Sequence, residues 1–342
     1  MKKSFWISSM FAVLVMSCAL SAQSSEELMS SGNEMLSRGA FDQAVTQFKK
    51  IVSREPRNFE AQYNLAFAYL GWGRHSTAVE EFRKAINLRP NSSHAWGNLA
   101  IAYENMGKNG DAITALSNAV KYDPSNFTAR VNLASMYANT GKNNQAINEY
   151  MSIVKNGHRE SGVMLNLAKC LITANRTDEA KNYLHEAVAA DPNNVEARYE
   201  LADIFWKKEK DPAKAMQELK LAINVRPDVG GLYDQLANIL EEQGKKAEAI
   251  EQLKKSLVYT SDVLAKERIQ ARIDRLEGKN VKQTTGSTPA AQMQQMKREE
   301  ENSSSTRRAP PPKPVKVDFG SLLDDEEDSK SSDPMGDLMK KK

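Results

Sequence analysis

Apolar residues in this chain recur at i, i+3, i+4 and i+7. In the stretch 96–107, WGNLAIAYENMG, they are Trp96, Leu99, Ala100 and Tyr103. That spacing places them on one face of an α-helix. A second set follows at Ala112, Leu116 and Ala119 and marks a second helix. Gly107 separates the two, where a left-handed residue closes a helix. Pro124 stands past the second end, where it cannot continue the helix. The pattern predicts a pair of amphipathic helices joined by a short turn.

The pair is written several times over. Leu65, Leu99, Leu133, Leu167 and Leu201 stand 34 residues apart, and each is followed by Ala. Tyr69, Tyr103, Tyr137, Leu171 and Phe205 come four residues after each leucine. Ala44, Ala78, Ala112, Ala146 and Ala180 keep the same step, as do Pro56, Pro90, Pro124, His158 and Pro192. A fixed period of this size predicts stacked helical hairpins, because one hairpin cannot bury its apolar face alone. Seven repeats fit: 25–58, 59–92, 93–126, 127–160, 161–194, 195–229 and 230–263. The sixth is one residue longer, and the extra residue falls in KKEKDPA, 207–213.

These positions resemble the tetratricopeptide-repeat (TPR) family. The likeness lies in its W/L–G/A–Y/F, G–x–Y–x–x–A, F/L–x–x–A and Pro positions, and it covers about two thirds of the chain. It implies an all-α, right-handed TPR solenoid of about seven hairpins. Repeat 1 is degenerate, with Leu28, Ser31 and Met35 where Trp, Leu and Tyr are usual. After repeat 7, residues 264–278 read as a closing helix. Leu264, Ile269, Ile273 and Leu276 are expected on its packed face, and Lys266, Glu267, Arg268, Arg272 and Arg275 in water.

Composition adds the two ends. Residues 1–22 read as a secretory signal, with Lys2 and Lys3 before the apolar run Phe5–Met16, which is short for a membrane span. Two processing readings stand: ordinary cleavage after Ala22, or lipoprotein processing at Cys18 within VMSC. The first gives a product free of the membrane and the second one held there by a lipid anchor at Cys18. Cys170 is the other cysteine and reads as a small buried hydrophobe. Residues 279–342 are rich in Ser, Pro, Gln and Lys and predict a disordered tail. Its basic prolines, RRAPPPKPVKV (307–317), precede the acid run DDEED (324–328). The tail reads as a solvating spacer, or as a docking motif through Phe319, Leu322 and Leu323. The net charge of +3 over 342 residues gives no sign of a nucleic-acid surface.

One column is not explained by packing. Asn64, Asn98, Asn132 and Asn166 recur at position 6 of four consecutive repeats, with Glu200 and Gln235 in the next two. Asn has no packing reason to recur in a helix. An amide offers both a donor and an acceptor. The resemblance implies that position 6 faces the concave groove, where such a column grips the backbone of an extended peptide. It is similar to the asparagine ladder of O-linked N-acetylglucosamine transferases, whose catalytic half is absent here. The other reading is that the Asn bonds locally. Positions 5, 9 and 12 add apolar and aromatic groups, including Tyr63, Phe67, Leu70, Ile101, Tyr199 and Trp206. That mixture suits peptide binding. The Lys–Asn pair of the family's carboxylate clamp occurs at no repeat.

No catalytic motif is present. His75, His94, His158 and His185 are scattered, and no HExxH, CxxC, P-loop or GxSxG occurs. Pairs such as Glu80/Glu81 and Glu241/Glu242 read as solvated faces. No cofactor or metal is expected. The reading is a non-catalytic, exported scaffold of the periplasm or cell envelope, with a protein or extended peptide as partner. Two alternatives stand beside it: an accessory subunit presenting substrate to a separate envelope enzyme or transporter, and a spacer without a peptide groove.

Overall fold

The computed structural model describes residues 23–279. Its described residues form two compact units, 23–132 and 133–279. The first contains α1 (Ser25–Ser37), α2 (Phe41–Arg54), α3 (Phe59–Gly71), α4 (His75–Leu88), α5 (Ser93–Asn105) and α6 (Asn109–Tyr122). The division falls within α7 (Phe127–Asn139). The second contains α8 (Asn143–Lys155), α9 (Ser161–Thr173), α10 (Thr177–Ala190), α11 (Val195–Lys207), α12 (Pro212–Val225), α13 (Gly230–Glu242), α14 (Lys246–Tyr259) and α15 (Val263–Leu276). Among the described residues every regular element is a helix. The fold is an all-α helical repeat.

The repeated residues do repeated work. Leu65, Ala66 and Tyr69 of α3 and Leu99, Ala100 and Tyr103 of α5 are all buried. The alanine lets a neighbouring helix approach closely. In α1 that place is Gly32, and a methyl group there would lie 2.5 Å from the Phe48 ring. The turn after each first helix needs a left-handed residue. Gly107 supplies it at φ 71°, while Asn175 and Lys210 adopt φ 60° and 55° where no glycine stands. The turn between α11 and α12 holds four residues, 208–211. Asp211 caps α12 by accepting from Lys214 N–H, and Pro212 occupies the first turn, where its missing N–H costs nothing.

A second column, at the last position of the repeat, starts the first helices. Asn58, Ser92 and Asn194 accept from the backbone N–H of Ala61, Ala95 and Ala197 at 3.0, 3.3 and 2.9 Å. Each satisfies one of the donors that a helix N-terminus leaves open.

The closing helix differs from expectation in two respects. Ile269 and Ile273 of α15 are buried, but Leu264 is 61% exposed. Five residues at 100° per residue turn Leu264 about 140° away from Ile269, so one face cannot carry both. Arg272 lies only about 60° from Ile269 on the same count. It is drawn down against α13, where it meets Asp234, Asn238 and Glu241. Glu241 is therefore bound and not simply solvated. The same holds for Glu81 of α4, which accepts from Gln62 Nε2 at 2.6 Å. The expectations for residues 1–22 and 280–342 lie outside the described residues.

Candidate functional site

In the first unit the position-6 amides reach back to the preceding repeat. Asn64 Nδ2 donates to Asn33 Oδ1 at 3.2 Å and approaches Met29 Sδ at 3.4 Å. Asn98 Nδ2 donates to the Tyr63 hydroxyl at 2.7 Å. The Tyr63 ring stacks on Phe59 and Phe67 at 5.9 and 6.4 Å and meets the Phe82 edge at 6.0 Å. Tyr63 and Asn64 are half-buried. Asn98 is only 4% exposed, and so is Phe67. Both were expected to line a groove open to a partner, and both are closed off. Phe67 lies in the aromatic cluster beneath Tyr63, and Asn98 is turned inward by its bond to the Tyr63 hydroxyl. Asn132 is half-buried. Of the accompanying apolar positions, Leu70 and Val131 are buried and Ile101 is half-buried. An open depression of about 680 Å³ adjoins Asn33, lined by Met29, Asn33 and Asn58 together with the carboxylates of Glu26, Glu55 and Glu60.

The second unit carries the same column with different chemistry. Asn166 hydrogen-bonds the hydroxyl of Tyr150, which also bonds Ser135 at 2.8 Å. Tyr150 is fully buried, and burial pushes its hydroxyl well above the ordinary tyrosine value. Cys170 is buried beside it, and burial pushes its thiol up to about 11, against the pull of Lys169. Leu165 is buried and Ile172 half-buried. From repeat 6 onward the face becomes charged. Lys169 Nζ lies 2.6 Å from Glu196, and Lys207 Nζ 2.6 Å from Asp203. Gln235 Nε2 donates to Asp203 Oδ1 at 3.1 Å. Burial pushes the Glu200 carboxyl up to about 7; Lys169 and Lys207 oppose this, while Asp203 and Glu196 add to it. Tyr199 and Trp206 are half-buried, and the Trp206 indole N–H donates to Glu242 at 2.6 Å.

Sequence reading missed the last-position caps, the Arg272 cluster and the burial of Gln235. Signals for them existed: Asn or Ser recurs before the first helices, and position 6 turns from Asn to Glu and Gln. Among the described residues no group of three or more His, Cys, Asp or Glu is placed to hold a metal ion. None of their helices is long and apolar enough to cross a membrane.

Comparison with known proteins fits this geometry. The family profile described as the cilia and flagella-associated protein 70 C-terminal domain, a TPR array, matches residues 11–222. The chain belongs to this tetratricopeptide-repeat family. A single TPR profile also matches residues 231–257 of the TPR protein. No curated protein matches the chain by sequence. Among solved structures, a TPR protein from Parabacteroides merdae is 18% identical, with TM-score 0.52 over 75% of this chain and all of its own. The pilF protein of Pseudomonas aeruginosa is 19% identical, with TM-score 0.51 over 64% of this chain and 99% of its own. At that identity the likeness is one of fold. TPR arrays are scaffolds for protein–protein interaction, generally non-catalytic, and their partners are peptides or proteins.

Proposed function

We propose that this TPR protein is an exported, non-catalytic scaffold of the bacterial cell envelope that holds an extended protein segment against its first-helix faces. The observation that carries the binding reading is the depression of about 680 Å³ beside Met29 and Asn33, continuous through Asn33 with the amide of Asn64. The Asn33 and Asn58 amides each offer a donor and an acceptor to a peptide backbone, and Glu26, Glu55 and Glu60 around them favour a segment with positive charge. Export is supported by the charged start and short apolar run of residues 1–22.

The test is an affinity pull-down from the native envelope fraction. Wild type is compared with Asn33→Ala/Asn64→Ala, which leaves the Asn98–Tyr63 and Asn166–Tyr150 bonds in place. Loss of a partner by the variant, with its helical circular dichroism intact, is the expected result. Retention of every partner overturns the reading. Intact mass of the exported product separates cleavage after Ala22 from acylation at Cys18.

One observation favours a second reading. Asn98 is buried and spends its amide on Tyr63 of the preceding repeat. The column is then a set of struts between repeats, and the array is a spacer. In that case Asn98→Ala lowers stability and alters no interaction.

A further inference from the structure

The second helix of a repeat covers positions 1 and 8 of the first. Position 8 shows this in repeat 1, where a methyl group on Gly32 of α1 would lie 2.5 Å from the Phe48 ring of α2. Position 1 shows it in three others. The Ser93 hydroxyl of α5 donates to Ala119 O of α6 at 2.9 Å, and the Ser161 hydroxyl of α9 to Ala187 O of α10 at 2.7 Å. A methyl group on Gly230 of α13 would lie 3.0 Å from Ser256 O of α14. The position-8 alanines Ala66, Ala100, Ala134, Ala168, Ala202 and Ala237 are accordingly buried.

α15 continues this register. Leu264 stands 34 residues after Gly230, and Ala271 stands 34 after Ala237. Seven residues at 100° each bring Leu264 and Ala271 to one face, within about 20° of each other. Both are exposed, Leu264 to 61%. α15 is thus the first helix of an eighth hairpin, and among the described residues nothing covers its positions 1 and 8. Glu267 and Arg268 lie about 60° and 40° to either side of Leu264 on the same count. Both are exposed, and neither has an ion pair or hydrogen bond among the described residues.

The chain runs on past α15, and the stretch STPAAQMQQMKREEEN (287–302) is written as a second helix. Thr288 suits an N-cap and Pro289 the first helical position. At helical spacing Ala290, Met293, Met296 and Glu300 fall in one stripe about 120° wide, with Lys297 inside it. We propose that residues 289–301 close on α15 as its second helix, antiparallel to it, with Met293 and Met296 against the Leu264–Ala271 face. Residues 280–288 join the two; extended, they reach about 30 Å, which exceeds the length of α15, about 20 Å. Unbranched methionine side chains fill the irregular space over a small residue such as Ala271. The antiparallel order brings Lys297 and Glu300 back toward the start of α15, where Glu267 and Arg268 stand unpaired. A helix of this length is marginal alone in water, so the docking is what holds it. The inference stands apart from the partner surface proposed above.

The test is amide hydrogen exchange of the full chain. Amides of 293–301 are expected to exchange at least about tenfold more slowly than in a free peptide of residues 287–302. Leu264→Asp and the pair Met293→Asp/Met296→Asp are each expected to remove that protection and to leave exchange in α13 unchanged. Arg268→Glu and Glu300→Arg are each expected to reduce it. The two charge reversals together are expected to restore it, which a loss of folding would not do. Exchange of 293–301 at the free-peptide rate in wild type overturns the proposal, and so does protection that Leu264→Asp leaves intact. Protection that rises with protein concentration, together with the sedimentation coefficient, also overturns it, since the face then receives a second copy of the chain.

Discussion

Glu200→Gln is expected to make the second unit more stable at pH 8 and to leave it nearly unchanged near pH 4.5. The carboxyl's ordinary value is 4.5, and burial carries it to about 7 in the folded chain. The folded state therefore holds the proton more tightly than the unfolded state does. The stabilising contribution is complete below the unfolded value, declines as pH rises from about 4.5 to 7, and is absent above. A shift of about 2.5 units corresponds to a ceiling of about 3.4 kcal/mol. Glu200 is half-buried, and water screens part of that, which leaves roughly 2 kcal/mol. Lys169, Lys207, Asp203 and Glu196 are the charged groups that face it. Glutamine keeps the shape without the charge at every pH. Urea titrations on a Trp6→Phe/Trp72→Phe/Trp96→Phe background leave Trp206 to report on α11. The variant and its parent should agree near pH 4.5 and diverge by pH 8. Superimposable pH profiles would refute the reasoning, as would a Glu200 13C-carboxyl midpoint below about 5.

The other expectations are shorter. Arg272→Met removes the bonds to Asp234, Asn238 and Glu241, and should loosen α15 by about 1–3 kcal/mol; hydrogen exchange in 263–276 reads this directly. Gly32→Ala drives a methyl into the Phe48 ring and should cost about 1–3 kcal/mol, seen as a lower thermal midpoint. Asn98→Ala and Tyr63→Phe each remove the same 2.7 Å bond, so their double variant should cost less than the two singles together in urea titrations. Cys170, with its thiol pushed up to about 11 by burial, should resist iodoacetamide at pH 8 and react once urea unfolds the second unit.

Much of the fold was legible because it is local and repeated. Burial of Leu65, Leu99 and Leu201 follows from the period alone, since every hairpin must bury the same face. The closing helix was legible in part. Ile269 and Ile273 keep a spacing of four and pack together, whereas Leu264 was assigned to their face by composition and not by angle. Of the surface residues, Tyr63 and Trp206 are half-buried near the positions their spacing suggests. Phe67 stands at i+4 from Tyr63 on the same helix, so their stacking was legible in the spacing, whereas its burial to 4% exposure was not.

The sequence by itself determined that the chain is a TPR array: the 34-residue period, the small residue after each leucine, the left-handed turn and the proline all act within one repeat or between adjacent ones. Only the tertiary structure decided which neighbours the amides of Asn64 and Asn98 bond. Whether an Asn faces a partner or its own neighbour depends on side chains 31 to 35 residues away, such as Asn33 for Asn64 and Tyr63 for Asn98. The same distance in sequence separates Gln235 from Asp203, to which its Nε2 donates at 3.1 Å. Periodicity fixes which face a residue shares. The pairing of polar groups across that face is fixed by distances of a few ångströms, which no spacing along the chain encodes.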